Sequence, residues 1–451
     1  MKNGWSSKRL DEVCWIKPPK SEARAKISAN KLVSFLPMED MGIDQEYVRP
    51  TQTKPLSSVI GSYTYFADGD VLLAKITPCF ENGKLGIAQG LTNGIGFGSS
   101  EYIVFRPDKT LSKEWLYYYL SRETFRVEGA ERMSGAVGHK RVSMEFIESY
   151  PIPVPPLPEQ QRIAGILGEV FEGIATAKAN AEKHLQNARA LFDAVLCRSV
   201  IGETTKEWRD AWRGGRTTAD SDLKSLFGQI ATTDRKLARS EETIGHEAIR
   251  DLLPEEWRLA SIEQLFNLID YRGKTATKSG SGRRLITARN IRMGFLSEEP
   301  VTFISEEQYK KWMVRGFPKP GDIFFVTEGH TMGFVALNTR TDEFALAQRT
   351  ITLQPSVPFS TRFFFYFMLS SHFQKLVKLN ATGAAAVGMK ASKFRSLPLA
   401  FPSFAEQEII ADKLDALREE TQCLESIYQQ KLAALDELKK SLLYQAFSGK
   451  L

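Results

Sequence analysis

The chain has 451 residues, 42% of them hydrophobic and 25% charged, enough for two to four domains with buried cores. Its longest apolar run is about seven residues, Phe363–Leu369, where a bilayer crossing needs roughly 20, and the opening MKNGWSSKRLDEV has no apolar secretory segment, so a soluble, reduced, cytoplasmic protein is expected. The net charge of +6 is too mild to name a polyanionic partner, and four scattered cysteines without a CxxC argue against a zinc ribbon or a disulfide framework.

In chain order, Trp5 precedes LDEVCWI, and a basic stretch, Lys17–Lys31, follows with Lys17, Lys20, Arg24, Lys26 and Lys31 against Glu22. Gly69-Asp70-Val71-Leu72-Leu73 opens strand-like runs, VLLAKITP and EYIVFRP, bounded by turn residues. The aromatic stretch WLYYYLSRETF reads as a short helix, and Val137-Gly138-His139-Lys140 follows it. The proline-rich YPIPVPPLP then breaks the chain and opens a long helix. Its apolar seam is Ile163, Leu167, Val170, Ile174, Ala177, Ala181, His184, Ala188, Leu191 and Val195, spaced 4,3,4,3 as in a coiled coil. Residues 203–256 carry 21 charged side chains of mixed sign in 54 positions and read as a solvated, partly helical connector.

The same order then repeats. Trp257 precedes IEQLFNLI, Gly321-Asp322-Ile323-Phe324-Phe325 answers the first Gly-Asp turn, and DIFFVT and TITLQP read as strands. FFFYFMLSSHF, Val387-Gly388-Met389-Lys390 and LPLAFPSF follow. PSFAEQEIIADKL answers PPLPEQQRIAGIL at a distance of 247 positions, a period that means a duplicated domain. The second seam is Ile410, Leu414, Leu417, Thr421, Leu424, Tyr428, Lys431, Leu435, Leu438 and Leu442. One seam is rich in alanine and the other in leucine, so the two helices, each about 40 residues, are expected to pair antiparallel with each other. His184 and Lys431 stand at matching register, where they either fix the register or face another protein.

No catalytic centre is legible. Gly273-Lys274-Thr275 matches the tail of a phosphate loop, but Leu268 stands where that loop needs glycine. GIGFG (94–98) leads into a strand, and the five histidines lack metal-ligand spacing. The basic clusters say more. Residues 270–292 hold seven basic side chains against Asp270, separated by glycine, serine and threonine, and the equivalent Lys17–Lys31 is also cationic. A solvated loop has this composition too, but two such loops at equivalent repeat positions point to phosphate positioning and groove-edge contacts. The aromatics at 115–119 and 363–367 fit a helix packed on a sheet better than a base-stacking platform, which suits single strands.

SEARAKISANKLVSFLPMEDMG (21–42), FADGDVLLAKITPCFENGK (66–84), FGSSEYIVFRP (97–107), PIPVPPLPEQQRIAGIL (151–167), YRGKT…LITARNI (271–291), LPLAFPSFAEQEIIADKL (397–414) and the terminal AFSGKL carry a resemblance along nearly the whole chain. The chain resembles the specificity subunit of type I restriction-modification systems. The resemblance implies a mixed α/β fold. It has two similar target-recognition domains in inverted orientation, separated by two long helices forming an antiparallel coiled coil. On this chain it places a first recognition domain at 1–150, a proline break and spacer helix at 151–202, the connector at 203–256, a second recognition domain at 257–397 and a second break and helix at 398–451. Each domain is expected to read one half of a bipartite double-stranded DNA target, with the helices setting the gap near one helical turn, roughly 34 Å.

The resemblance also implies a non-catalytic, cytoplasmic, prokaryotic subunit that binds no cofactor itself. It directs two modification subunits, which use S-adenosylmethionine to methylate adenine N6 after flipping the base. Two restriction subunits that use ATP and magnesium join in some complexes. Candidate DNA-binding residues are Lys20, Arg24, Lys75, Thr77, Asn82, Lys84, His139, Lys140 and Arg141 in the first repeat. In the second they are Tyr271, Arg272, Lys274, Thr275, Lys278, Arg283, Arg284, Arg289, Asn290, His330, Thr331 and Lys390. Lys75 and Lys84 have the alternative role of supporting the fold. A stand-alone DNA-binding protein and a coiled-coil scaffold are the rival readings.

Overall fold

The computed structural model describes residues 4–136, 138–211, 218–231, 245–272, 275–357, 359–383 and 387–451. The chain divides into two compact units, Met1–Lys183 with Tyr428–Leu451, and His184–Ile427.

In the first unit a five-stranded sheet runs in the order Cys14–Ile16, Tyr102–Pro107, Val71–Ala74, Leu85–Ala88, Tyr47–Val48. It is antiparallel except for the last, parallel pair. A second sheet runs Gln52–Pro55, Leu32–Leu36, Ile95–Gly98, Thr64–Ala67, with its central pair parallel. The second unit repeats this plan. Phe266–Asp270, Thr350–Pro355, Ile323–Val326 and Val335–Leu337 form one sheet, and Phe303–Ile304, Arg283–Ile286 and Phe344–Leu346 the other, again with a parallel pair. Each unit also pairs the strand after its opening tryptophan with the proline-rich break: Ser6–Arg9 with Pro151–Val154, and Arg258–Ser261 with Pro398–Phe401.

The alternation along one strand explains the two-layered cores. Val71 and Leu73 point into one apolar cluster while Leu72 and Ala74 point into another. Ile323 and Phe325, against Phe324 and Val326, do the same in the second unit. Both strands follow a Gly-Asp turn whose glycine, Gly69 or Gly321, sits at φ near +88, a region that favours glycine. The aromatic helices Lys113–Leu120 and Thr361–Leu369 lie on the sheets. Trp115–Leu120 and Phe363–Met368 are all buried, so they are core and not a stacking platform.

A buried glutamine fixes each aromatic helix to a long one. Gln160 accepts from the Ser112 N–H at 2.8 Å and donates to the carbonyls of Thr110 and Pro155. Gln407 accepts from the Ser360 N–H at 3.3 Å and donates to Pro402. This is the role of the repeated glutamine after the proline break.

The long helices are Leu157–Ser199 and Phe404–Phe447. In the first unit Arg162 reaches the Leu451 carbonyl and Lys178 pairs with Asp436; in the second Arg189 pairs with Glu425. Rising numbers on one helix meet falling numbers on the other, so the pairing is antiparallel. The ten-position seam is less continuous than its spacing suggests. Ile163, Leu167, Ile174, Ala181, Ile410 and Leu414 are buried, whereas Leu191, Leu424 and Leu438 are 58%, 42% and 44% exposed. Near the helix C-termini burial moves one position on, to Leu196 and Leu443. A straight helix of 3.6 residues per turn drifts in this way from a 3.5 repeat.

The connector is less solvated than its composition suggests. Ala219, Leu223, Leu226 and Ile249 join the core of the second unit. Thr205 and Arg209 both donate to Glu406, whose other oxygen accepts from the Trp257 indole at 2.8 Å. Residues 212–217 and 232–244 of the connector lie outside the described residues.

Candidate nucleic-acid interface

In each unit two segments are joined by matching backbone bonds at one end of the main sheet, with a third beside them. In the first unit the turn after Val71–Ala74 meets the segment before Arg141–Val142: the Thr77 N–H donates to Lys140, and the Val142 N–H to Lys75. In the second the turn after Ile323–Val326 meets 387–390: the Gly329 N–H donates to Val387, and the Met389 N–H to Thr327. The third segment is the basic loop between the two sheets, 17–31 in the first unit and 271–272 with 275–282 in the second. Arg272 reaches the Met389 carbonyl, and Lys17 lies close enough to act electrostatically on Lys75.

The candidate residues divide by how their side chains are held. Several support the loops. Lys20 donates to the Gly61 carbonyl at 2.9 Å, and Lys84 to Met38 at 2.7 Å. Lys75 is half-buried between the Ser100 carbonyl and Glu101; burial is the largest influence on its ammonium and pulls its pKa below the ordinary lysine value. Arg141 grips both oxygens of Glu101, and this hydrogen bonding, helped by Lys75, holds that carboxyl below its usual range against partial burial. Thr77 donates to Glu81.

In the second unit Tyr271 is buried, stacked 5.7 Å from Trp312, with its hydroxyl bound to Gly316 and Arg315 backbone. Arg272 grips Asp270. Burial alone would raise that carboxyl, but the hydrogen bonds and charge of Arg272 outweigh it and lower its pKa. Arg283 pairs with Glu306 and Glu343, and Arg284 with Glu298. Asn290 is fully buried. Its oxygen accepts from Thr287 twice, and its amide donates to Ser297 and Pro300. With its amide occupied and no exposed surface, Asn290 shapes the loop and has no free edge for a base.

Other candidates are exposed and unheld. Arg24, Asn82, His139 and Lys140 in the first unit, and Lys278, Arg289, His330 and Lys390 in the second, are exposed, and among the described residues no side-chain bond or ion pair occupies them. Thr331 is half-exposed beside His330. Lys274 lies outside the described residues. Thr275, Lys278 and Arg289 line one cleft of about 350 Å³ in the second unit, and Thr275 donates to Gln348 across it. Sequence reading missed Arg349, which lines the same cleft at φ +75 and pairs with Glu328. An arginine between two strand-like runs carried no signal; its left-handed backbone, uncommon outside glycine, is visible only in the structure.

The family model for the type I restriction modification DNA specificity domain matches residues 2–186 and 254–432, one copy on each repeat. The chain belongs to that family. Among curated relatives, this specificity-domain chain is 30% identical over 242 residues to the EcoEI specificity subunit of Escherichia coli, covering 53% of this chain and 39% of that one. It is 29% identical over 257 residues to the EcoAI specificity subunit of the same organism, covering 56% and 41%. It thus aligns with about two fifths of the length of either relative. Two solved structures share its fold along nearly their whole length. A chain solved for complex assembly and conformational transition of the type I R-M system has a TM-score of 0.68 at 15% identity, covering 100% of this chain and 99% of that one. The HsdS subunit of Thermoanaerobacter tengcongensis has a TM-score of 0.57 at 15% identity, covering 100% and 98%. In the specificity-domain chain, no helix of the described residues is long and apolar enough to cross a membrane.

Proposed function

We propose that this chain is the specificity subunit of a type I restriction-modification complex and that each unit reads one half of a bipartite double-stranded DNA target. The observation that carries this reading is the duplicated loop cluster: in both units two segments joined by matching backbone bonds stand beside a basic loop, with exposed cations that no group among the described residues neutralises. Held cations such as Arg272 and Arg141 keep the loops in shape. Free ones such as Lys278, Arg289, Arg24 and Lys140 meet phosphates and base edges. The chain performs no chemistry. Two modification subunits bring S-adenosylmethionine and methylate adenine N6, restriction subunits with ATP and magnesium join them, and the complex works in the prokaryotic cytoplasm.

Selection from random-sequence duplexes with the assembled methyltransferase tests this. The expected result is two short conserved blocks at fixed spacing, with affinity falling steeply as salt rises. Enrichment of no sequence would support a scaffold. The same split site bound by the chain alone, at equal affinity, would support a stand-alone DNA-binding protein.

A further inference from the structure

The two repeats differ in a cleft beside the aromatic helix, and the difference points to a missing arginine. In the second repeat Tyr366 donates to Asp415 of the long helix at 2.5 Å. Arg362 pairs with that same Asp415 and with Asp412 and Glu408. Arg418, one turn further along the helix, lies 5.3 Å from the Phe365 ring and donates to the Gly294 carbonyl. Carboxylates and aromatic rings there are satisfied by two guanidinium groups of the chain itself.

In the first repeat the matching positions hold no arginine. Glu114 stands where Arg362 stands, Phe171 where Arg418 stands, and Gly168 where Asp415 stands. Tyr118, the counterpart of Tyr366, donates to Glu46 instead, at 2.5 Å. What remains is a cleft of about 490 Å³ with Tyr117, Tyr118 and Phe171 on its wall and Glu46 and Glu172 facing it. Of the cations nearby, Lys439 pairs with Asp44 and lies 5.4 Å from the Phe171 ring centre, Lys178 pairs with Asp436, and Lys113 pairs with Glu114. Among the described residues neither Glu46 nor Glu172 forms a close ion pair. Burial is the largest influence on the Glu46 carboxyl and pushes it up, against the hydrogen bonds of Tyr118 and Tyr47 and the charge of Lys113. Gly168 keeps the cleft open, since a Cβ there would stand 3.3 Å from the Tyr118 hydroxyl.

We propose that this cleft, beside Glu46, Tyr118 and Phe171, is a socket for the arginine side chain of a partner protein. A planar guanidinium stacks on aromatic faces and forks to a carboxylate, which a more strongly hydrated ammonium does less well. The second repeat shows the same chemistry satisfied within the chain. The inference is independent of the DNA reading, because its test uses neither DNA nor a modification subunit.

The test is fluorine NMR of the full chain labelled with 3-fluorotyrosine, the Tyr118 resonance being assigned by its loss in Tyr118→Phe. N-acetyl-arginine amide is expected to move that resonance saturably, with a Kd on the order of millimolar for a single side chain. The neutral N-acetyl-citrulline amide should not move it. Glu46→Gln keeps an acceptor for Tyr118 and should weaken binding at least about tenfold. Phe171→Arg supplies the guanidinium from within, as Arg418 does, and should abolish it. No saturable shift, an equal shift with citrulline, or unchanged binding in both variants would overturn the proposal.

Discussion

The two repeats share a backbone plan but not the charges laid on it. In the first, Glu101, just before the strand Tyr102–Pro107 of the main sheet, is gripped by Arg141. In the second, the same place holds Arg349, which pairs with Glu328 from the neighbouring turn. The buried Asp70 binds Arg106 through both oxygens, while its counterpart Asp322 binds Gln354. What persists is the backbone ladder between the turn and the segment beside it. Loop ends held by backbone bonds are free to exchange their side chains, including the sign of their charge, without changing the fold. The proposed reading of two different half-sites needs that freedom.

The sharpest contrast is predicted at Glu406 and Glu159, the same position in the two Glu-Gln motifs. Glu406 is buried against Arg209, Thr205 and Trp257, so Glu406→Ala strands a buried arginine and should cost about 3–5 kcal/mol in denaturant unfolding. Glu159 pairs with the half-exposed Arg162, and Glu159→Ala should cost less than about 1 kcal/mol. Equal losses would break the comparison. Next, Gln160→Ala should destabilise by about 2–3 kcal/mol and Gln407→Ala by about 1–2, because Gln160 makes three short buried bonds and Gln407 two longer ones.

On DNA, Lys278→Ala and Arg289→Ala should each reduce the slope of log affinity against log salt by about one. Arg283→Ala, already paired with Glu306 and Glu343, should change it less. The smallest effect is on acid stability. The Asp270 carboxyl is held below its ordinary value, so its contribution is complete above the unfolded value near 3.9 and is lost as the pH falls below it. Asp270→Asn should therefore lower stability at neutral pH and flatten its decline between about pH 4 and pH 2, as read by unfolding at a series of pH values.

Much of this was legible in the sequence. The duplication, the long antiparallel helices, the buried aromatic helices and the cationic loops follow from spacing and composition. The seam was legible only in part, because periodicity cannot show where a straight helix drifts from its partner. The connector was misread because charged composition hid four apolar positions, Ala219, Leu223, Leu226 and Ile249, that enter the core. Within the candidate interface, sequence located the loops but could not separate Lys278, which is free, from Tyr271 and Asn290, which are buried, or from Arg284, which is paired. That separation depends on partners far along the chain, such as Glu298 for Arg284.

The most direct test of the central claim is a methylome. The chain would be expressed with its modification partner in a host free of adenine methylation, and N6-methyladenine mapped by long-read sequencing. The account predicts one split motif whose two halves change independently: replacing 17–31 with 75–84 and 133–142 alters one half, and replacing 271–282 with 327–334 and 387–390 alters the other. An unsplit motif, or a motif unchanged by either replacement, would contradict it.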